Sequence, residues 1–194
     1  MTQSELNWQL KEALQNIVGN TAEIDAFVKS LSVTQVAKSD FLIKAGDRCP
    51  NIYFVNEGIF RTFLEVEDRE MNTEFFFENS FAGAFTSFLL ETPTSLNIQA
   101  LEPAMVTVIP KTLLEGYCKT NPCWYALGKH IFEQEFIKKC RRESEFLQLS
   151  ARERYLNLID QYPQVEDRIA GYHIASFLGI QAESLSRIRS GKLA

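Results

Sequence analysis

Long apolar runs are missing from this sequence. No stretch approaches the roughly 18 continuous apolar residues of a membrane helix. The N-terminal MTQSELNWQLKEAL carries charges inside its apolar pattern, so no signal peptide is read there and a cytoplasmic protein is expected. Histidine is scarce, with only His130 and His173. The four cysteines (Cys49, Cys118, Cys123, Cys140) are scattered, which makes free thiols the default in a reducing compartment. Cys118 and Cys123 lack the further ligands a metal site needs. No Gly-rich phosphate loop and no Ser-His-Asp set can be found. These absences point away from an enzyme, and no metal or cofactor is expected. An overall positive charge is missing too, since the net charge is -5 at pH 7. It is unevenly spread: residues 1–137 carry 10 Lys and Arg against 18 Asp and Glu, and residues 138–194 carry 10 against 7. An acidic front and a mildly basic tail fit a sensor joined to a nucleic-acid module, although ordinary surface scatter gives the same numbers.

What is present is enough for one large domain or two small ones: 194 residues, 45% hydrophobic, with 15 Phe to fill a core. Leu6, Leu10, Ala13, Leu14 and Ile17 recur at helical spacing within residues 4–30, Gly19-Asn20 stops that helix, and a second short one covers 22–31. From Ser32 to Pro110 the pattern changes to short strands. Phe41-Leu42-Ile43 ends at Ala45-Gly46-Asp47. Ile52-Tyr53-Phe54-Val55 runs into Asn56-Glu57-Gly58, which reads as a hairpin turn. Glu67-Asp68 turns the chain again, and Ile98–Leu101 and Met105–Ile109 close the set. Many short strands at regular turn spacing predict a sandwich, roll or barrel. An enzyme of that architecture would place a metal on two or three His inside the barrel; both histidines lie outside the strand region and read as helix-surface residues.

Residues 111–148 turn helical, with Asn121-Pro122 as a start signal. Trp124, Leu127, Ile131, Phe132, Phe136, Ile137 and Cys140 cover more than one narrow stripe, so this helix has apolar surface for its own domain and for a partner. Ser150-Ala151-Arg152-Glu153 is a capping box that opens another helix, which runs to Tyr162-Pro163. Next, 173–180 and 181–189 read as two short amphipathic helices about Gly179, the helix-turn-helix pattern. Ile174, Leu178, Ile180, Leu185 and Ile188 would pack them together. Gln181, Glu183, Ser184, Arg187 and Arg189 are left for solvent or DNA, where Arg can fork onto guanine and Glu can accept from cytosine. An αα-hairpin with a polar outer face is the alternative.

The segment IASFLGIQAESLSRIR resembles the helix-turn-helix of the Crp/Fnr regulators, with Glu183, Ser184 and Arg187 matching that family's Glu, Ser or Thr, and Arg. Ala182 stands where well-known members have another Arg, which implies a different sequence preference. Gly46-Asp47, Ile52–Val55, Gly58 and Arg61 resemble the family's cyclic-nucleotide-binding roll, and SARERY at 150–155 resembles the opening of its DNA-binding domain. The resemblance implies an α+β fold: a β-roll of about eight strands (a double-stranded, jelly-roll-like β-helix) with N-terminal helices at 1–115, a dimerisation helix at 116–148, and a helix-turn-helix domain at 149–194. It implies a homodimer packed through Ile131, Phe132 and Phe136, double-stranded DNA as partner, and RNA polymerase as a candidate partner. Arg187 would read a base edge, Glu183 would accept from a base or orient Arg187, and Gln181, Ser184, Arg189 and Lys192 would position the helix on phosphates.

Two departures stand out. The family's cyclic-nucleotide site pairs Gly-Glu with a later Arg-Ser; here the matching residues are Gly83-Ala84 and Thr94-Ser95. Without the Arg, a buried phosphate lacks its cation, so cyclic AMP is not expected. The pocket bounded by Phe81, Gly83, Ala84, Phe85, Thr94 and Ser95, with Phe88, is expected to be apolar and to take a small uncharged effector or none. Arg61 is expected at the roll surface. Only five residues follow Arg189, so any wing precedes the recognition helix, around Arg168 to Tyr172. Residues 1–30 hold no Cys for an iron–sulfur sensor. The competing reading is a ligand-binding or interaction module that has lost DNA binding.

Overall fold

The computed structural model describes residues 3–19 and 21–191. It divides into two compact units: residues 1–62 with 75–134, and residues 63–74 with 135–194.

The first unit begins with α1 (Gln3–Val18) and α2 (Glu23–Ser30), as the helical spacing predicts. Eight strands follow: β1 (Ser32–Val36), β2 (Phe41–Ile43), β3 (Asn51–Glu57), β4 (Phe60–Val66), β5 (Arg69–Phe76), β6 (Phe81–Ala82), β7 (Asn97–Ala100) and β8 (Ala104–Pro110). They form two four-stranded sheets, ordered β1-β8-β3-β6 and β2-β7-β4-β5. The β1–β8 and β3–β8 pairs are antiparallel. Ile52–Val55 is a continuous apolar run because β3 is buried on both faces. Ile52 and Phe54 join a core with α1 and α2, whereas Tyr53 and Val55 point into the roll beside Val36, Phe60, Ile98 and Val106.

The expected hairpin at Asn56-Glu57-Gly58 is not one, because β3 and β4 belong to different sheets. The β3–β8 register slips between Val55 and Glu57, and the Asn56 Oδ1 accepts from the buried Thr107 hydroxyl at 2.7 Å. Gly58 has φ +84°, and a Cβ there would lie 2.7 Å from Ala104 Cβ and 2.8 Å from Pro103 O. The glycine therefore serves a crossing between sheets and a close backbone approach. Glu67-Asp68 does turn β4 into β5, with φ of 49° and 60°, the pair of positive values a two-residue hairpin turn needs.

A helix that the strand pattern hid, α3 (Phe85–Leu90), lies between β6 and β7. After β8 come α4 (Lys111–Thr120), a 3-10 turn at Pro122–Trp124, and α5 (Tyr125–Gln148), so the region expected to be helical is broken once. The break falls at Asn121-Pro122, where the Asn121 side chain accepts from Cys123 N–H. Glu23 of α2 accepts from both Asn121 Nδ2 and Trp124 Nε1, at 3.0 and 2.8 Å, which satisfies the polar edge of a fully buried Trp124.

The second unit contains the tip of the β4–β5 hairpin, the later part of α5, then α6 (Ala151–Gln161), α7 (Val165–Arg168), α8 (Gly171–Leu178) and α9 (Ala182–Arg189). The capping box predicted at Ser150 is present in both directions: Ser150 Oγ accepts from Glu153 N–H, and Glu153 Oε2 accepts from Ser150 N–H at 2.8 Å. The second bond holds the Glu153 carboxyl below its ordinary pKa. Tyr155, Leu158, Val165, Ile169, Ile174, Ala175, Leu178, Leu185 and Ile188 are buried. No strand falls between Arg168 and Tyr172: the expected wing position is occupied by the end of α7 and the start of α8.

Candidate nucleic-acid interface

Helix α8 ends as its sequence requires. Gly179 adopts φ +68°, and Ile180 N–H donates back to Ala175 O at 3.0 Å, closing the carbonyl end of the helix. The chain then re-enters α9 two residues later, with Gln181 as its extended N-terminal flank. Ile174, Ala175 and Leu178 on α8 and Leu185 and Ile188 on α9 are buried, and Ile180 is half-buried. Gln181, Glu183 and Arg187 are exposed and Ser184 is half-buried. Glu183 and Arg187 stand one turn apart, with the acid in the first turn and the base in the last, where each suits the helix dipole. Glu183, Ser184 and Arg187 thus share one side of α9, and Gln181 is exposed at its N-terminal flank.

Arg189 differs. Its Nε donates to Glu166 Oε1 of α7 at 2.8 Å, and the same oxygen accepts from the Tyr155 hydroxyl of α6 at 2.6 Å. Arg189 ties α9 to α7 of its own unit. Lys192 lies outside the described residues.

Sequence reasoning missed what supports α8 from behind. Asn72 N–H, in β5, donates to Ser176 Oγ at 2.9 Å, and the Ser176 hydroxyl donates to Glu70 O at 2.7 Å. Asn72 Nδ2 donates to His173 O at 3.0 Å and lies 3.3 Å from His173 Nδ1. His173 is therefore buried against the hairpin, which corrects its reading as a surface residue. Arg142 of α5 donates to Phe177 O and to Asn72 O, and Arg154 of α6 donates to Leu178 O and Leu149 O. Both guanidiniums stack on Phe146, at 4.5 and 4.6 Å from the ring centre. Two cations at the carbonyl end of α8 complement its dipole. Burial lowers the Arg142 pKa to about 10, which leaves it cationic at neutral pH. The signal was an Arg and a Phe one turn apart on α5, which looks like any solvated helix face until the fold is known.

In the roll, Gly83 and Ala84 are buried, Thr94 is half-buried and Ser95 is exposed. Thr94 pairs by backbone with the Gly46-Asp47 turn, donating to Asp47 O and accepting from Gly46 N–H, both at 2.8 Å. Its hydroxyl accepts from Leu96 N–H. Buried Cys49 stands beside Ala84, its N–H donating to Ser87 Oγ, and burial raises its thiol pKa. The three phenylalanines expected to line the pocket mostly turn the other way. Phe81 packs edge-on against Phe54, and Phe85 and Phe88 meet Phe132, in the core shared with the N-terminal helices; Phe85 also touches the roll interior. Arg61 is also buried, contrary to its expected surface position, and donates from Nε and Nη2 to Gln99 Oε1 at 2.9 and 2.6 Å.

Among the residues expected at a dimer interface, Ile131 is only 2% exposed and belongs to the first unit's core, so it is not available to a second chain. Phe132 is half-buried, and Phe136 is 71% exposed. Ile137 and Leu147, on the same helix, are also exposed. Among the described residues no group of three His, Cys, Asp or Glu side chains could hold a metal ion, and no helix is long and apolar enough to cross a membrane.

Residues 33–121 match the family described as "Cyclic nucleotide-binding domain". No curated protein matches the sequence. Among solved structures, FixK2 from Bradyrhizobium japonicum superposes with a TM-score of 0.73 at 14% identity, over 83% of each chain. A protein from Eubacterium rectale assigned to the crp/fnr family of transcriptional regulators gives 0.68 at 18% identity, over 89% of this chain and 82% of its own. The c-di-GMP responsive global regulator CLP from Xanthomonas campestris gives 0.70 at 16% identity, over 89% of this chain and 91% of its own. The resemblance read from the sequence is thus matched at two levels: residues 33–121 are similar to the cyclic nucleotide-binding domain family, and the chain shares the fold of solved structures that include a regulator assigned to the crp/fnr family.

Proposed function

We propose that this protein is a dimeric regulator of transcription that binds a specific double-stranded DNA sequence through α9. The observation that carries this reading is the outer side of α9, where Glu183, Ser184 and Arg187 remain, with Gln181 exposed at the helix start, after Leu185 and Ile188 are spent on the core and Arg189 on Glu166. Arg187 has the reach and the paired donors to fork onto a guanine edge. Glu183, a turn earlier, accepts from a neighbouring base or orients Arg187. Gln181 and Ser184 lie near the N-terminus of α9, whose free N–H groups attract phosphate. Lys192 would add a phosphate contact. Dimerisation would bring two such helices to successive major grooves, with Phe136, Ile137 and Leu147 of α5 covered by the second chain.

The 149–194 segment is the DNA-binding domain in this reading. The roll at 1–115 is a sensor for a small uncharged ligand, or a scaffold without one, and RNA polymerase is the partner that an activator would meet. The test is Arg187→Ala. It should cost about 1–3 kcal/mol at one symmetric pair of base positions and relax the preference there, while thermal unfolding stays unchanged because the side chain is exposed. Equal affinity and selectivity for variant and wild type would favour the rival reading, a module of this fold without DNA binding.

A further inference from the structure

The second unit holds a buried charge cluster that DNA recognition does not use. Glu74 of β5 and Glu135 of α5 are each only 8% exposed. One ammonium bridges them: Lys138 Nζ lies 2.7 Å from Glu135 Oε1 and 3.3 Å from Glu74 Oε1. Lys139, half exposed, meets Glu74 Oε2 at 2.7 Å. The other oxygen of Glu135, Oε2, is buried without a hydrogen-bond partner. The groups facing Glu135 are Glu74 from β5, Lys138 and Lys139 from α5, and Tyr162 at the end of α6; Arg141 and Arg142 of α5 add charge farther out. We propose that the β4–β5 hairpin is joined to α5 by a proton-dependent lock, in which the buried Glu135 carboxyl beside Glu74 holds a proton while the joint is closed and releases it as the joint loosens.

The physical case is that two buried carboxylates bridged by one ammonium are not both ionised at low cost: Lys139 serves Glu74 alone and is half exposed, so Glu135 has only its share of Lys138 and one oxygen without a partner. Burial first, and then the charge of Glu74, push Glu135 up to about 7 against the opposing pull of Lys138. Lys138 stays protonated, because the two carboxylates outweigh its own burial and raise its pKa. The proton therefore resides on Glu135. A carboxyl whose folded pKa lies above its unfolded value stabilises the fold below the unfolded pKa, and that contribution is lost as pH rises through the folded pKa. The window runs from the ordinary carboxylate range up to about 7. The joint is tight in mild acid and weaker at pH 8. Glu74 lies two residues after Asn72, which supports α8, so loosening here frees the strand bearing Asn72.

The test needs no DNA, so its outcome is separate from that of the DNA-binding reading. Amide hydrogen exchange of β5 and α5, expressed as protection relative to unstructured peptide, is followed from pH 6 to pH 8 in the full chain. Wild type should lose about tenfold in protection across that interval. Glu135→Gln, which mimics the protonated acid, should be flat over it. Glu74→Gln should move the step to lower pH, a shift that a merely structural role would not produce. His173 sits in the same unit and histidines titrate in this range, so the difference between wild type and Glu135→Gln is the quantity read. Carbon NMR of the Glu135 carboxyl gives an independent value in wild type. A Glu135 titration in the ordinary range, or a Glu135→Gln variant with the wild-type pH dependence, would overturn the proposal.

Discussion

Gly58 and Gly46 have the same backbone sign and different surroundings. Both have positive φ, yet an added Cβ at Gly58 would strike Ala104 and the Pro103 carbonyl, whereas at Gly46 it would meet nothing within 4 Å. Gly46→Ala carries only conformational strain, about 1 kcal/mol or a little more. Gly58→Ala carries that strain plus a backbone displacement where the chain crosses between sheets. Its loss of stability should exceed that of Gly46→Ala by at least ~1 kcal/mol in chemical denaturation. Equal costs would mean that the crossing is looser than the contacts imply. Gly179 belongs with Gly58: the ring that its Cβ would meet, Phe146, is itself held between two guanidiniums.

At the scale of elements, the segment β6–α3–β7 decides what the roll can bind. By the resemblance read from the sequence, Ala84 and Thr94 stand where cyclic-nucleotide sites carry an acid and an Arg, and the Thr94 hydroxyl oxygen already accepts from Leu96 N–H. Titration calorimetry with cyclic AMP and cyclic GMP should therefore give no micromolar binding. Binding at that level, abolished by changing Thr94 or Ser95, would return the protein to nucleotide control. This segment also shows where the sequence was hard to read. The apolar residues of 81–90 carry no clean period, because α3 is six residues long and buries fully only Ser87 and Phe88. By contrast, the signals at Ser150, Gly179 and Glu67-Asp68 are local, since a cap, a left-handed residue and a tight turn are each set by two to four neighbours, and all three are present. The turn signal at Asn56–Gly58 failed for a nonlocal reason: a glycine with positive φ looks the same in a hairpin and in a crossover. His173 and Arg61 failed likewise, because their partners Asn72 and Gln99 lie 101 and 38 residues away.

For the whole molecule, the order of short strands, long helix and helix pair was legible from period changes and the roll from the family resemblance, whereas the docking of the hairpin tip on α8 was not. The exposed apolar residues of α5 are the feature that one chain leaves unexplained. Phe136→Asp should yield a monomer by light scattering at micromolar concentration, with far-UV circular dichroism unchanged, because Phe136 contributes little to its own chain's core. A wild-type protein that is already monomeric, with or without DNA, would contradict the dimer.

DNA recognition itself is tested most directly by selecting sequences from a random double-stranded pool with the wild-type protein. A two-fold symmetric consensus is expected, with half-sites centred about one helical turn, roughly 34 Å, apart. Arg187→Ala should degrade that consensus at a single symmetric base pair. Recovery of no consensus, or of one that Arg187→Ala and Glu183→Ala leave intact, would contradict the assignment of α9 as a recognition helix.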